Sequence, residues 1–425
     1  MKYTEMTSEE LKAEKAQLKK EYEILKSRHL DLNMARGVLS VEQLNLTQDM
    51  LGVLKTQDDC ITENGTDCRN YGLLDGIPEA KKLFAEMLDV DDDELIVGGN
   101  SSLNMMYDTL ARHMIYGRDG VNKPWATQGE IKFLCPVPGY DRHFAICESL
   151  GIKMINVPLN EDGPDMDEVE RLVASDASIK GIWCVPKYSN PTGTVYSDET
   201  IHRFAKLKTK ADDFCIMWDN AYIVHSLYGE SAKQMNLLKE AEKFENENTV
   251  YEFASTSKIS FPGSGVAVLA TSKANIESIK KHISVQTIGA DKLNQMRHVR
   301  YFGSLNGILE QMKRHSAIIA PKFKLVDELF EKELSKTGLC TWSKPEGGYF
   351  VSLNVPCGCA SVVYSKMCDL GVKLTPAGAT YPYHNDPTNS NLRVAPTFPP
   401  IDELEIATKA LCLCVKLATL DILTK

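Results

Sequence analysis

The sequence lacks the features of a membrane, secreted or nucleic-acid-binding protein. None of its apolar runs is long enough to span a bilayer, and residues 1–20 are charged and polar. Acidic residues outnumber basic ones, 58 to 48, and the formal net charge of −10 argues against nucleic-acid and anionic-membrane surfaces. We therefore expect a cytoplasmic protein with neither a membrane nor a nucleic-acid partner.

The cysteines lack the spacing of a metal site. The chain has 12 of them, scattered along its length, and no histidine cluster accompanies them. Cys357 and Cys359 are separated by one residue instead of two, as are Cys412 and Cys414. We predict no metal site and interpret the cysteines as small buried apolar side chains in a reducing compartment.

The length of 425 residues and the order of the apolar runs predict two domains. Seven short apolar runs alternate with helical stretches, at residues 95–97, 131–135, 154–157, 181–185, 214–218, 250–254 and 266–270. Runs without polar alternation suit strands that are buried on both faces of a mostly parallel sheet. We predict an α/β large domain, residues 50–305, with a mixed, mostly parallel seven-stranded sheet flanked by helices.

The pattern changes after residue 305. A long helix is expected to about residue 334, strands at residues 348–353, 372–374 and 392–394, and a closing helix over 401–420. Near the N-terminus, Thr7 and Glu10 have the spacing of a capping box that opens a charged helix to about residue 29. Residues 1–49 and 306–425 are therefore predicted to form a smaller α+β domain.

Three motifs each follow a predicted strand. Residues 190–193 read Asn-Pro-Thr-Gly, residues 218–222 read Trp-Asp-Asn-Ala-Tyr, and residues 255–258 read Ser-Thr-Ser-Lys. Taken singly, they suit a turn, a helix cap and a surface lysine. In an open parallel sheet, however, ligands bind beyond the carboxyl ends of the strands. All three motifs are expected at that edge.

The order of these motifs, together with Arg393 in an Asn-Leu-Arg-Val-Ala-Pro segment, resembles fold-type I pyridoxal-phosphate enzymes, the aspartate aminotransferase superfamily. The resemblance covers residues 36–398. Residues 32–37, 42–44, 75–80 and 294–298 are similar to a bacterial subgroup assigned to aspartate aminotransferases. The resemblance implies that pyridoxal 5′-phosphate is the cofactor and that Lys258 carries it as a Schiff base.

The resemblance also implies roles around the cofactor ring. Lys258 moves the proton between the substrate Cα and the cofactor, and Asp219 keeps the ring nitrogen protonated. Asn190 and Tyr222 match residues that hydrogen-bond the phenolate oxygen, and Tyr140 matches the aromatic side chain that stacks on the ring. Lys258, Asp219 and Tyr222 are therefore the candidate catalytic residues.

The phosphate is expected at the start of the helix after residues 98–100, where backbone N–H groups bind anions. Side chains that match or suit this role are Asn100, Ser101, Ser102, Ser255, Ser257 and Tyr71. Tyr71 matches a tyrosine that crosses a dimer interface, which implies a homodimer with shared active sites. The family's Gly-x-Arg-x-Gly arginine is absent from residues 258–266, and we expect hydroxyl and backbone N–H groups to replace it.

The substrate is expected to be held by cations. Arg393 matches the arginine that grips the α-carboxylate in a forked pair of hydrogen bonds. In relatives the segment around Gly37 closes over the substrate. A dicarboxylic substrate needs a second cation, for which Arg36, Lys292 and Arg297 are the candidates.

The resemblance favours an aminotransferase that converts aspartate and 2-oxoglutarate into oxaloacetate and glutamate. A lyase or decarboxylase on the same fold stays open, because the residues do not reveal which Cα bond breaks. A non-catalytic cofactor-binding regulator is disfavoured. Regulators of that kind carry a winged-helix region, for which the residues before Arg36 are too few, and the set Lys258, Asp219 and Arg393 argues for activity.

Overall fold

The computed structural model describes residues 2–229 and 233–425. Helices in these ranges are α1 Ser8–Lys26, α2 Val41–Asn45, α3 Pro78–Leu88, α4 Ser102–Tyr116, α5 Asp141–Ser149, α6 Met166–Ser175, α7 Asp198–Ala205, α8 Leu237–Glu242, α9 Lys273–Gln286, α10 Lys292–Phe302, α11 Leu305–Glu333, α12 Ala360–Asp369 and α13 Ile401–Leu423. Strands are β1 Leu32–Asn33, β2 Leu95–Val97, β3 Lys132–Val137, β4 Lys153–Asn160, β5 Gly163–Pro164, β6 Ile179–Cys184, β7 Cys215–Asp219, β8 Val250–Ser255, β9 Ala267–Ala270, β10 Thr341–Trp342, β11 Val351–Asn354, β12 Val372–Lys373 and β13 Asn391–Val394.

The large sheet has the strand order β2-β9-β8-β7-β6-β3-β4-β5. Strands β4, β3, β6, β7 and β8 are parallel neighbours, and β9 runs antiparallel between β8 and β2. The mixed, mostly parallel α/β sheet is confirmed, and all seven predicted runs are strands. The strand count was wrong, because β5 adds an eighth strand. Its two residues, Gly163 and Pro164, are too few to give a periodic pattern, and proline has no N–H to donate.

The strands of the sheet are buried on both faces because helices cover each side. Successive side chains of a strand point to opposite faces. In β3, Phe133 and Cys135 therefore pack in one hydrophobic cluster and Leu134 packs in another. In β7, Met217 and Trp218 divide between the same two clusters. This double burial explains why the runs show no polar alternation.

A third hydrophobic cluster is formed mainly by buried side chains of α1, of α11 and of the elements that follow α11. The Glu10 N–H donates to the Thr7 hydroxyl and the Thr7 N–H donates to the Glu10 carboxylate, so the predicted capping box is present. Strands β10, β11 and β13 form an antiparallel sheet, and β1 pairs with β12. The first part of α11, at Ile308, packs in a cluster of the large sheet, whereas Phe323 packs in the third cluster. The domain limits at residues 49/50 and 305/306 stay a prediction.

One edge of the large sheet collects the motif-bearing loops. Strand β2 is antiparallel to β9, and β9 is antiparallel to β8, so β2 runs in the same direction as β3, β6, β7 and β8. The segments after these five strands therefore emerge at the same edge. Among the described residues, no helix combines the length and the apolar character needed to cross a membrane.

Candidate active site

A cavity opens at this edge of the sheet. Its lining comes from the segments after β2, β3, β6, β7 and β8 and from the first turn of α4. The lining residues are Ser101, Ser102, Leu103, Met106, Tyr140, Val185, Asn190, Asp219, Ala221, Tyr222, Ser255, Ser257 and Lys258. The three sequence motifs thus meet in one place, as the parallel strand ends require.

Lys258 follows β8 and reaches back into the cavity. Its Nζ lies 5.1 Å from the centre of the Tyr222 ring and 5.9 Å from that of Tyr349. Burial lowers the pKa of the Lys258 amine, and the charge of Asp219 partly opposes that shift. A lowered pKa increases the neutral, nucleophilic fraction of an amine, as Schiff-base chemistry needs.

Asp219 ends β7 and is held by a histidine that we did not predict. Its Oδ2 lies 2.9 Å from Nε2 of His143, which stacks on Trp183 with ring centres 4.2 Å apart. The other oxygen, Oδ1, is buried and has no hydrogen-bond partner among the described residues. Because a buried acceptor without a partner is costly, Oδ1 is placed for a donor from a ligand.

Tyr140, Asn190 and Tyr222 surround the same space. Burial, with Asp219 and Asp141 nearby, raises the pKa of Tyr140 to about 12. The pKa of Tyr222 is also raised by burial, so both phenols stay protonated and can donate hydrogen bonds at neutral pH. Asn190 accepts a bond of 3.3 Å from Nη1 of Arg393 through its Oδ1.

Helix α4 points its N-terminus at the cavity. Ser101 is the N-cap but its side chain makes no capping bond, so the first N–H groups keep their donor capacity. The hydroxyls of Ser255 and Ser257 meet at 3.0 Å, and that of Ser257 lies 3.4 Å from the backbone oxygen of Asn100, just before this helix. The Asn100 side chain is turned away, toward the backbone oxygens of residues 262 and 263. Among the described lining residues, Lys258 is the only cation.

Arg393 on β13 is nearly fully buried beside the cavity. Its Nη1 donates to Oδ1 of Asp141 at 2.7 Å, and its Nε lies 3.3 Å from the Thr375 hydroxyl. The guanidinium carbon lies 4.9 Å from the centre of the Phe350 ring. The same ring lies 2.5 Å from the position of a Cβ on Gly37, so a larger residue there would have to displace the ring.

The proposed distal cations do not converge on the cavity. Arg36 is exposed, next to Gly37. Arg297 is half-buried on α10 and bonds Asn294 of its own helix, while its Nε lacks a partner among the described residues. Lys292, at the start of α10, is buried and lines a separate depression.

That depression also contains Tyr71, whose side chain is 80% exposed. Tyr71 therefore does not reach the cavity of its own chain. Ile288, just after α9, is 61% exposed and lines the same depression, and Val285 in the last turn of α9 is 90% exposed. The surface around Tyr71 is thus rich in exposed apolar side chains.

Sequence reasoning missed a polar network behind Lys258. Gln43 on α2 bonds the Tyr349 hydroxyl and His315 Nδ1, each at 3.0 Å. His315 Nε2 lies 3.1 Å from the backbone oxygen of Ile259, next to the lysine. His225 is also buried there, and burial with the charge of Lys258 lowers its pKa to about 3. These residues lie far apart in the chain, and no local motif marks them.

Comparison with known proteins identifies the family. The aspartate amino-transferase family profile matches residues 6–425. The chain belongs to this family. A Mycolicibacterium smegmatis protein named as an aminotransferase is 44% identical to this aminotransferase over 424 residues, which cover 100% of this chain and 99% of the relative. An aspartate aminotransferase of Corynebacterium glutamicum is 42% identical over 404 residues, covering 95% of this chain and 93% of that one.

Solved structures agree with the fold of this aminotransferase. The crystal structure of an aspartate transaminase from Corynebacterium glutamicum matches with a TM-score of 0.96, 41% identity and 99% coverage of both chains. An α-aminoadipate aminotransferase from Thermus thermophilus, complexed with N-(5′-phosphopyridoxyl)-L-leucine, matches with a TM-score of 0.74 at 18% identity, over 92% of this chain and 93% of that one. The enzyme is thus a fold-type I transaminase of the pyridoxal-phosphate-dependent class.

Proposed function

We propose that this enzyme transfers the amino group of an L-amino acid, with aspartate as the preferred donor, to a 2-oxo acid such as 2-oxoglutarate. The observation that carries the proposal is that Lys258 and the unpaired Oδ1 of Asp219 face one cavity, with Arg393 beside it. The name of the Corynebacterium glutamicum relative supports aspartate as the donor.

The cavity suits pyridoxal 5′-phosphate. Bound to Lys258 as a Schiff base, this cofactor supplies an electron sink for the bond that breaks at the amino acid Cα. Asp219 Oδ1 would accept a hydrogen bond from the protonated ring nitrogen. His143 holds the carboxylate in place through Oδ2. Tyr222 and Asn190 would hydrogen-bond the phenolate oxygen, and Tyr140 would cover the ring.

Lys258 has two tasks in this proposal. Its amine would hold the cofactor, and as a free amine Nζ would take the proton from the substrate Cα. Burial assists both tasks, because the lowered pKa favours the neutral amine. The rings of Tyr222 and Tyr349 lie within 6 Å of Nζ.

The phosphate would be held without an arginine from the segment after Lys258. The N-terminus of α4 offers N–H groups, and Ser101, Ser102, Ser255 and Ser257 offer hydroxyls. A helix end supplies only about half a positive charge, so these neutral donors carry most of the binding. Asn100 contributes through its backbone rather than its side chain, which faces another loop.

The amino acid would be held by Arg393 through its α-carboxylate, with the segment of Gly37 and Phe350 closing beside it. For a dicarboxylic donor, Arg36, Lys292 and Arg297 stay the candidates for the distal carboxylate. None of them lines the cavity of its own chain among the described residues, so the distal site needs either a movement of the Gly37 segment or a second copy.

We also propose a homodimer with shared active sites. The exposed Tyr71 and the apolar side chains of Val285 and Ile288 support it, because large exposed apolar side chains mark interfaces. In such a dimer Tyr71 would reach the phosphate of the second copy. The buried Lys292 in the same depression would then face that copy's site as well.

Product analysis tests the reaction type. Purified holoenzyme supplied with aspartate and 2-oxoglutarate is expected to give oxaloacetate and glutamate in equal amounts. Ammonia or carbon dioxide as a main product would instead indicate a lyase or a decarboxylase. Alanine as an alternative donor tests the range, and the Lys258→Ala variant serves as the inactive control.

A further inference from the structure

The arginine proposed to bind the substrate already has a carboxylate partner in the chain. Asp141 Oδ1 lies 2.7 Å from Nη1 of Arg393, and the two residues are 252 positions apart. Their side chains are 27% and 7% exposed, respectively, so the pair is partly shielded from water. The other hydrogen bonds of this guanidinium among the described residues are longer and neutral, to Asn190 and Thr375 at 3.3 Å.

Asp141 is placed where it can both make and leave this contact. It is the first residue of α5, directly after Tyr140 of the cavity wall. At a helix N-terminus a carboxylate interacts favourably with the free N–H groups whether or not it keeps a second partner. Arg393, in contrast, is fixed on β13 between Phe350 and Thr375. The aspartate is therefore the movable member of the pair.

A buried guanidinium needs a counter-ion, because removing a charge from water without a partner is costly. Asp141 meets that need at Nη1, one of the nitrogens with which Arg393 can make a forked contact to a carboxylate. We propose that Asp141 is an internal competitor of the substrate: it pairs with Arg393 and yields Nη1 to the incoming α-carboxylate. The inference rests on the proposed function, since it assumes that Arg393 binds the substrate carboxylate.

An exchange of one carboxylate for another has two consequences. The arginine keeps a counter-ion throughout the cycle, so product release does not leave a bare buried charge. The substrate gains only the difference between two ion pairs, so Asp141 sets the KM rather than the kcat. Amines without a carboxylate cannot displace Asp141 and are thereby disfavoured.

The test is the affinity of the holoenzyme for maleate, a dicarboxylate that cannot react, measured by calorimetry. Asp141→Asn keeps the shape and removes the competing charge. We expect its dissociation constant for maleate to be roughly 3- to 30-fold lower than that of the wild type, between the values for exposed and buried charged contacts. The KM for aspartate should fall with it, while kcat changes little.

Two controls separate this role from others. Glu148→Gln removes an exposed carboxylate from the same helix and should leave maleate affinity unchanged. In an Arg393→Ala background, Asp141→Asn should have no further effect, as a double-mutant cycle requires for a direct pair. Without ligand, Asp141→Asn should also lower the melting temperature, and maleate should restore it.

Other results would overturn the inference. Unchanged or weaker maleate binding by Asp141→Asn would show that Asp141 only holds Arg393 in position. If neither the wild type nor the variant binds maleate and neither turns over an amino acid, the proposed substrate role of Arg393 is itself wrong. Turnover of aspartate without any binding of maleate would overturn the competition alone. A variant that binds maleate where the wild type does not would support competition in its strongest form.

Discussion

Burial controls the charge of the side chains around Lys258. Removal from water lowers the pKa of the lysine amine and brings the pKa of the adjacent His225 to about 3. The histidine is thus neutral at physiological pH and adds no charge that would compete with the lysine. Asp219 is the nearby anion, and His143 occupies only one of its oxygens. The residue pair Lys258 and Asp219 therefore dominates the electrostatics of the cavity.

Asp219→Asn tests the second member of this pair. The amide keeps the shape and can still meet His143, but it cannot hold a positive charge on a ring nitrogen. We expect the variant to retain the cofactor and to lose turnover by about 100-fold or more, because a positioned charge in a dry site is worth several kcal/mol. Steady-state kinetics and cofactor absorbance measure the two effects. Turnover within threefold of the wild type would contradict the assigned role.

The distal-carboxylate candidates make a second prediction at this scale. If Arg36, Lys292 or Arg297 binds the side chain of aspartate, its Ala variant should lose about 1.5–3 kcal/mol of transition-state binding for aspartate, the range for a charged hydrogen bond. The kcat/KM for alanine should stay near the wild-type value. The measurement is the aspartate-to-alanine ratio of kcat/KM in each variant. An unchanged ratio in all three variants would show that none of these cations binds the distal carboxylate.

Strand β8, which precedes Lys258, carries the buried side chain of Glu252. Glu252 accepts a 2.8 Å bond from Asn220, and its other oxygen has no partner among the described residues. Burial raises the pKa of Glu252 from 4.5 to about 7. The folded protein therefore keeps a proton that the unfolded chain releases between these values. As pH rises from 4.5 to 7, the free energy of unfolding of the protein therefore falls.

The Glu252→Gln variant should not lose stability in this way as pH rises. Glutamine keeps the acceptor for Asn220 and does not ionise, so the variant should gain up to about 3 kcal/mol over the wild type at pH 8 and less than about 1 kcal/mol at pH 5. Denaturant unfolding at both pH values measures the difference. Glu161→Gln, at an exposed turn, is the matched control. An equal gain at the two pH values would show that Glu252 does not titrate in this range.

The proposed dimer gives a prediction for the whole molecule. If Tyr71 completes the site of the second copy, refolding Lys258→Ala together with Tyr71→Ala should restore activity. Random pairing leaves one complete site in half of the dimers, about a quarter of the wild-type activity. Lys258→Ala mixed with Asp219→Asn should restore none, since both residues line one chain's cavity. No recovery in the first mixture would exclude the shared site.

The sequence predicted those parts of the molecule that depend on local pattern. Seven strands of the large sheet were predicted because double burial produces continuous apolar runs. The motifs of Lys258, Asp219 and Asn190 were expected at one edge because each follows a strand, and the three side chains line one cavity. The two-residue β5 was missed, because two residues carry no period.

The missed contacts of the site join distant segments. Asp141 meets Arg393 across 252 positions, and Gln43 meets His315 across 272. Neither pair has a spacing that a sequence pattern could indicate, because both depend on how the N- and C-terminal segments pack against the large sheet. The pairing of β1 with β12 has the same cause.

The most direct test of the account is to locate the cofactor on the chain. Purified holoenzyme is reduced with borohydride, digested and mapped by mass spectrometry, with Lys258→Ala treated in parallel. The account predicts a pyridoxyl group on the peptide that contains Lys258, loss of that label when aspartate is added before reduction, and no label in the variant. A label on another lysine, or an equal label in Lys258→Ala, would contradict it.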